Sequence, residues 1–268
     1  MSFKIGFTAE PERKQETYKT TTVQKNTTAK KSVVDVFFPD RHISCSYYND
    51  SFDLKRGDIV YVDGKLEGLR GRVTNVNYTF KIKLSEYKRV IGVADTNIMG
   101  RFHLAGSHFI TIDRNTLKYE QIITWFKAPS DEEEVVSNEE DEVFNINNLS
   151  GMKIDKLTAV RGHDYFLQNR VAYIEINRGK GRAIVLGTKP YEVEFNFDNG
   201  DISGLVCNCF CTNTCKHEFA AMLQLKETLD IIEENYGAID DDYLAIVSKA
   251  IFFENVIANK TQGNFTIE

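Results

Sequence analysis

The sequence predicts an α+β protein: an N-terminal all-β, barrel-like unit, an acidic linker, and a C-terminal unit with a β-hairpin, a cysteine cluster and two helices. Three observations carry this. Short β-branched and aromatic runs with period-2 alternation fill residues 33–126, among them VVDVFF, GDIVYVDG, RVIGVAD, HFITID and KYEQIITWF. Eight acids and no base stand in the twelve residues from Asp131 to Glu142. Beyond them the texture is first strand-like and then helical, and four of the five cysteines fall within nine residues.

Residues 8–31 are rich in Thr, Lys and Gln with almost nothing apolar, too little to offset the entropy of ordering, so 1–31 are expected to be a flexible arm. Residues 32–128 form the β unit. Its clearest alternation, Arg72 to Lys83, places Val76, Tyr78, Phe80 and Ile82 on one face and Asn75, Asn77, Thr79, Lys81 and Lys83 on the other. Residues 129–145 are the linker, because like charges at that density repel and bury nothing. In the last unit, 146–268, Tyr165–Leu167 and VAYIEINRGKGRAIVLGTKPYEVEFNFDNGDI read as strands, with turns at Gly179/Gly181 and at Asp198-Asn199-Gly200. HEFAAMLQLKETLDIIEENYG carries an apolar stripe (Phe219, Met222, Leu223, Leu225, Leu229, Ile232) and reads as a helix ending at Gly237. DDDYLAIVSKAIFFENVIANK reads as a second helix, with Asp240–Asp242 at its positive end.

Composition excludes several classes. The 268 residues are 42% hydrophobic, enough for a sizeable core. No apolar run approaches the roughly 18 residues of a membrane span, and MSFKIGFTAEPERKQE lacks the apolar middle of a signal peptide. A cytoplasmic protein with no membrane partner is expected. The net charge of -6 hides two halves of opposite sign: residues 1–130 hold 21 basic and 14 acidic residues, and 131–268 hold 12 and 25. Phosphate-binding glycine loops, nucleophile elbows and metalloprotease pairs are lacking, so no enzyme is indicated.

An odd number of cysteines, clustered so tightly, suits a metal site better than a disulfide framework. Zinc takes four tetrahedral thiolate or imidazole ligands, and Cys207, Cys209, Cys215 and His217 meet that count. The C-x-C pair bites from a strand end, and C-x-H stands where the following helix begins. A redox cysteine is the rival reading, which needs a thiolate beside an activating base. C-x-C, a short insert, C-K-H and then a helix opening with small and apolar residues resembles the SWIM zinc finger. The resemblance covers about residues 160–235 and takes in an upstream β segment with Gly162, Tyr165, Arg170-Val171, Ala183-Ile-Val185, Gly187 and Tyr191-x-Val193. Cys211 departs from the pattern and leaves a Cys209/Cys211 bite as an alternative. The resemblance implies a zinc-ordered, non-catalytic interaction module, of a kind that occurs in helicase-like ATPases, Mutator-type transposases and ubiquitin ligases. Leu54 to Val73 resembles, over about 20 residues, the KOW segment of SH3-like barrels.

A zinc-binding interaction protein is therefore expected, contacting DNA, RNA or a protein partner such as a helicase-like ATPase. A protein-only adaptor and a thiol redox protein are the alternatives. Arg178, Lys180 and Arg182 at a hairpin tip are the candidate nucleic-acid contacts, since long cations beside glycines reach a phosphate backbone without competing for the core.

Overall fold

The computed structural model describes residues 29–128, 143–236, 243–258 and 263–268. The expected arm lies outside these except for 29–31, and the expected linker except for 143–145.

Five strands, β1 (Ser32–Phe38), β2 (Ile43–Asn49), β3 (Ile59–Val62), β4 (Gly71–Asn77) and β5 (Val90–Val93), make an antiparallel sheet in the order β2-β1-β4-β3-β5. Alternation in β1 buries Val34, Val36 and Phe38 against Leu54, Val60, Val62 and Val73, a core of their own. The expected barrel does not close. The edge strands β2 and β5 are not paired, Tyr48 making only an isolated bridge to Arg89 just ahead of β5, so the sheet is open.

The expected face of Arg72–Lys83 is corrected as well. Opposite β1 the register shifts between Asp35 and Val36, so Val36 faces Val73 while Asp35 faces Asn75 and Thr74 is left over. This bulge lets both Val73 and Val76 pack on the core. The strand then ends at Asn77, and Tyr78 is exposed.

The second sheet has nine strands in the order β14-β6-β7-β13-β9-β10-β11-β12-β8. In chain order its surroundings are β6 (Met99–Ala105), β7 (His108–Thr111), helix α1 (Tyr119–Ile122), β8 (Phe144–Asn145), helix α2 (Lys156–Leu167), β9 (Val171–Asn177), β10 (Lys180–Leu186), β11 (Pro190–Asp198), β12 (Asp201–Cys207), helix α3 (Lys216–Tyr236), β13 (Tyr243–Ser248), helix α4 (Lys249–Phe252) and β14 (Asn264–Ile267). Pairing is antiparallel apart from β14 on β6. Two positive-φ pairs, Arg178-Gly179 and Asn199-Gly200, turn β9 into β10 and β11 into β12, as two-residue hairpins require.

Sheet membership crosses the acidic run. β6 and β7 precede that run in sequence, yet β7 pairs with β13, which pairs with β9. Trp125 is fully buried in one core with Tyr173, Ile184, Tyr243 and Phe252, and its Nε1 donates to Asp95 O at 2.6 Å. Lys127 Nζ reaches Glu192 at 2.5 Å, and Tyr119 donates to the same carboxylate. A boundary at 129–145 therefore does not separate the two packing units of the described residues; the five-stranded sheet ends earlier, at Val93.

Three helix and strand expectations are corrected. Asp240–Asp242 of the expected second helix lie outside the described residues, and its next stretch is the strand β13, because a central strand is buried on both faces. Leu244 and Ile246 enter the core under α3, while Tyr243, Ala245 and Val247 enter the core around Trp125, which makes a continuous apolar run. Only Lys249–Phe252 and a π-type turn over Phe253–Ile257 remain helical there. Tyr165–Leu167 is the end of helix α2, whose N-cap Asp155 accepts from the backbone of Leu157 and Thr158 at 3.0 Å each. The run KYEQIITWF is helical at 119–122 and continues as a 3-10 turn over Ile123–Trp125.

His108 is fully buried on β7, and its Nε2 lies 2.8 Å from Val171 O. A carbonyl only accepts, so the proton sits on Nε2, leaving Nδ1 to accept from Ser107 Oγ at 3.0 Å. Burial holds its pKa below the ordinary 6.5. The folded chain then resists protonation while the unfolded chain accepts it, so the stabilisation is whole above about pH 6.5 and is lost as pH falls below it. Denaturant titrations from pH 7.5 down to pH 5 are expected to show a shallower decline in stability for His108→Gln than for the wild type.

Candidate metal centre

β12 runs antiparallel to β11 with Cys207 opposite Val193, and Asn208 extends the ladder. Asn208 N donates to Glu192 O at 3.0 Å, and Glu192 N donates to Asn208 Oδ1 at 2.9 Å. The strand ends at Cys207 and the chain bends through 208–210, which brings Cys209 back beside Cys207. The chain turns through 210–214 and enters α3 at Lys216. Cys215 sits just before that helix, and His217 in its first turn.

These four residues converge. Cys207 Sγ, Cys209 Sγ, Cys215 Sγ and a ring nitrogen of His217 all lie within 4.8 Å of one another, and His217 Nδ1 is 3.7 Å from both Cys207 Sγ and Cys215 Sγ. Tetrahedral bonds of about 2.0 to 2.3 Å would set neighbouring ligand atoms roughly 3.5 to 3.8 Å apart. The group can hold a metal ion. Cys211 is exposed and stands outside it, so the Cys209/Cys211 bite is not the one assembled.

The surroundings suit a closed site. Cys207 and Cys215 are buried in the core that α3 shares with the sheet. Tyr191 of β11 stacks on the His217 ring at 4.0 Å between centroids, and Tyr165 of α2 meets its edge at 5.5 Å. Helix α2 reaches this position because of Gly162, where an added Cβ would stand 2.9 Å from Lys216 O. Burial, aided by Lys216, brings the His217 pKa down to about 4, so the imidazole is neutral near pH 7 and its Nδ1 lone pair is available. Burial pushes the Cys209 thiol up to about 12. The Cys215 thiol is also raised, first by its hydrogen bond with Cys207 and then by burial. A bound metal would take the place of the thiol protons and accept the neutral imidazole as it stands, tying β12 to α3.

Glu218 is a part of the site that sequence reading missed. Its N–H approaches Cys215 Sγ at 3.5 Å, and its carboxylate accepts from Cys215 N at 2.6 Å. This is a capping box in which cysteine replaces the usual serine or threonine. The signal was present as an acid three residues after the cap position. Glu218→Ala is expected to cost about 0.5 to 2 kcal/mol, seen as a lower thermal midpoint of the metal-loaded protein, with Glu218→Gln recovering most of it.

The three basic hairpin residues are not alike. Arg178 is exposed at the β9–β10 turn. Lys180 is exposed and donates to Asn196 at 2.5 Å. Arg182 lies 3.9 Å from buried Glu175 and 3.6 Å from Glu120, with its guanidinium over Tyr119 at 4.8 Å. It is held by the fold, whereas the other two reach solvent.

Among the described residues no helix is long and apolar enough to cross a membrane. No family model matches the chain, and neither the curated proteins nor the solved structures contain a match.

Proposed function

We propose that the chain is a zinc-binding, non-catalytic interaction protein that contacts nucleic acid, built on a module resembling the SWIM zinc finger. The convergence of Cys207, Cys209, Cys215 and His217 carries the reading. Three thiols and an imidazole are a donor set suited to zinc, and four protein ligands leave no open position for chemistry. The convergence of all four donors, with Cys207, Cys215 and His217 buried, supports a structural role over the redox alternative, which needs an accessible thiolate beside an activating base.

Nucleic acid is favoured by local charge. Between residues 161 and 189 the bases are Arg161, Arg170, Arg178, Lys180, Arg182 and Lys189, against Asp164 and Glu175, within an otherwise acidic half. A protein-only adaptor is the second reading, favoured by Leu157, Val160 and Leu167, which are exposed on α2.

The test joins metal and binding. Elemental analysis is expected to give about one zinc per chain. Labelled DNA and RNA are expected to bind more weakly as salt rises, because phosphate contacts release counterions. Replacing Arg178 and Lys180 together by Ala is expected to flatten that salt slope without changing zinc content. Zinc without nucleic-acid binding at low salt would favour the adaptor.

A further inference from the structure

Phe210 stands in the turn between the two halves of the metal cluster, one residue after Cys209, and is 98% exposed. A lone exposed phenyl is ordinary on a protein surface. Its setting is not. The ammonium of Lys189 lies 5.8 Å from the Phe210 ring centre and 5.7 Å from that of Tyr191. Tyr191 in turn stacks on His217. On the neighbouring helix face, Lys216 Nζ lies 4.8 Å from the ring centre of half-buried Tyr165. Neither Lys189 nor Lys216 makes an ion pair with an acid among the described residues, whereas Lys127, Arg182 and Lys226 do.

We propose that this knuckle binds single-stranded nucleic acid, with Phe210 as the platform on which an unpaired base stacks and with Lys189 and Lys216 as its phosphate contacts. The inference rests on the nucleic-acid reading above and deepens it by naming the strand state and the residues. Bases inside a duplex already stack on their neighbours and offer no free face to a side chain. A projecting ring with a cation beside it therefore selects unpaired bases. A protein groove would demand an apolar rim around Phe210, whereas the group that lies over its ring is the Lys189 ammonium. The cluster adds preorganisation: Cys209 and Cys215 tie down both ends of the loop, so the ring is presented with little ordering left to do on binding.

The experiment uses the zinc-loaded full chain with fluorescent oligothymidylate and oligouridylate of about 20 nucleotides and a duplex of equal length. Single strands of either sugar are expected to bind more tightly than the duplex. Phe210→Ala should weaken single-strand binding about 5- to 100-fold at unchanged zinc content, while Phe210→Trp should retain it. Lys189→Ala with Lys216→Ala should reduce the slope of log affinity against log salt by about 0.7 per lost contact. Salt-dependent binding that is equal for single strand and duplex and indifferent to Phe210→Ala would overturn this inference and leave the broader reading standing. No binding of any probe by the wild type would overturn both. Loss in Phe210→Ala that Trp fails to rescue would overturn stacking as the mechanism.

Discussion

Cys215→Ala and His217→Ala are each expected to release the metal and unfold the segment from about 160 to 237. Structural zinc supplies about 10 kcal/mol or more of folding energy in small zinc domains, comparable with the roughly 5 to 15 kcal/mol that is the whole net stability of a typical protein. Either substitution also leaves three donors, two of them buried, without a cation. The consequence should reach further than the cluster, because β9 to β12 share one sheet with β6, β7 and β13. The single tryptophan, Trp125, is fully buried in a core packed against that sheet, so its fluorescence reports the loss. The five-stranded sheet has a core of its own and is expected to keep a separate transition by circular dichroism. A variant that retains a full zinc equivalent and the wild-type transition would remove the ligand assignment. Cys211→Ser is the control and should keep the metal, since Cys211 is exposed and outside the cluster.

The second large effect is expected from Trp125→Ala, about 3 to 5 kcal/mol of destabilisation, from lost burial and the cavity left behind. Trp125→Phe should cost less, chiefly the hydrogen bond to Asp95 O and part of the contact area. The informative readout is the metal. Trp125 precedes the acidic run in sequence but packs with Tyr173 of β9 and Ile184 of β10, and β10 pairs with β11 of the hairpin that carries Cys207. Trp125→Ala should therefore release zinc to a competing chelator at lower denaturant concentrations than the wild type. Equal release would show that the segment around Trp125 and the metal centre unfold independently.

The candidate metal site was legible because the residues that could hold a metal are local. Cys207, Cys209, Cys215 and His217 span eleven residues, and C-x-C at a strand end with C-x-H at a helix start places them by backbone geometry alone. The two hairpin turns were legible for the same reason, since Asn199-Gly200 and the glycine after Arg178 announce positive φ. Helix α2 was hidden because Leu157, Val160 and Leu167 face outward, its core contacts come from the adjacent pair Tyr165 and Phe166, and Gly162, its most buried position, has no side chain to mark a stripe. Strand β13 was hidden because YLAIV is apolar on both faces, a pattern that does not distinguish a short buried helix from a central strand.

By itself the sequence determined what short-range chemistry determines: an α+β composition, the strand texture, the turns, and a thiol–imidazole set spaced for one metal. Tertiary structure decided which strands share a sheet, that β6 and β7 join β13 across the acidic run, that the first sheet stays open, and that Arg182 is held by Glu175 while Phe210 projects. The physical reason is the range of the interactions. Turn dihedrals and ligand spacing are set within a few residues, whereas sheet order and side-chain exposure depend on which distant surfaces exclude water together, and no local pattern encodes that choice.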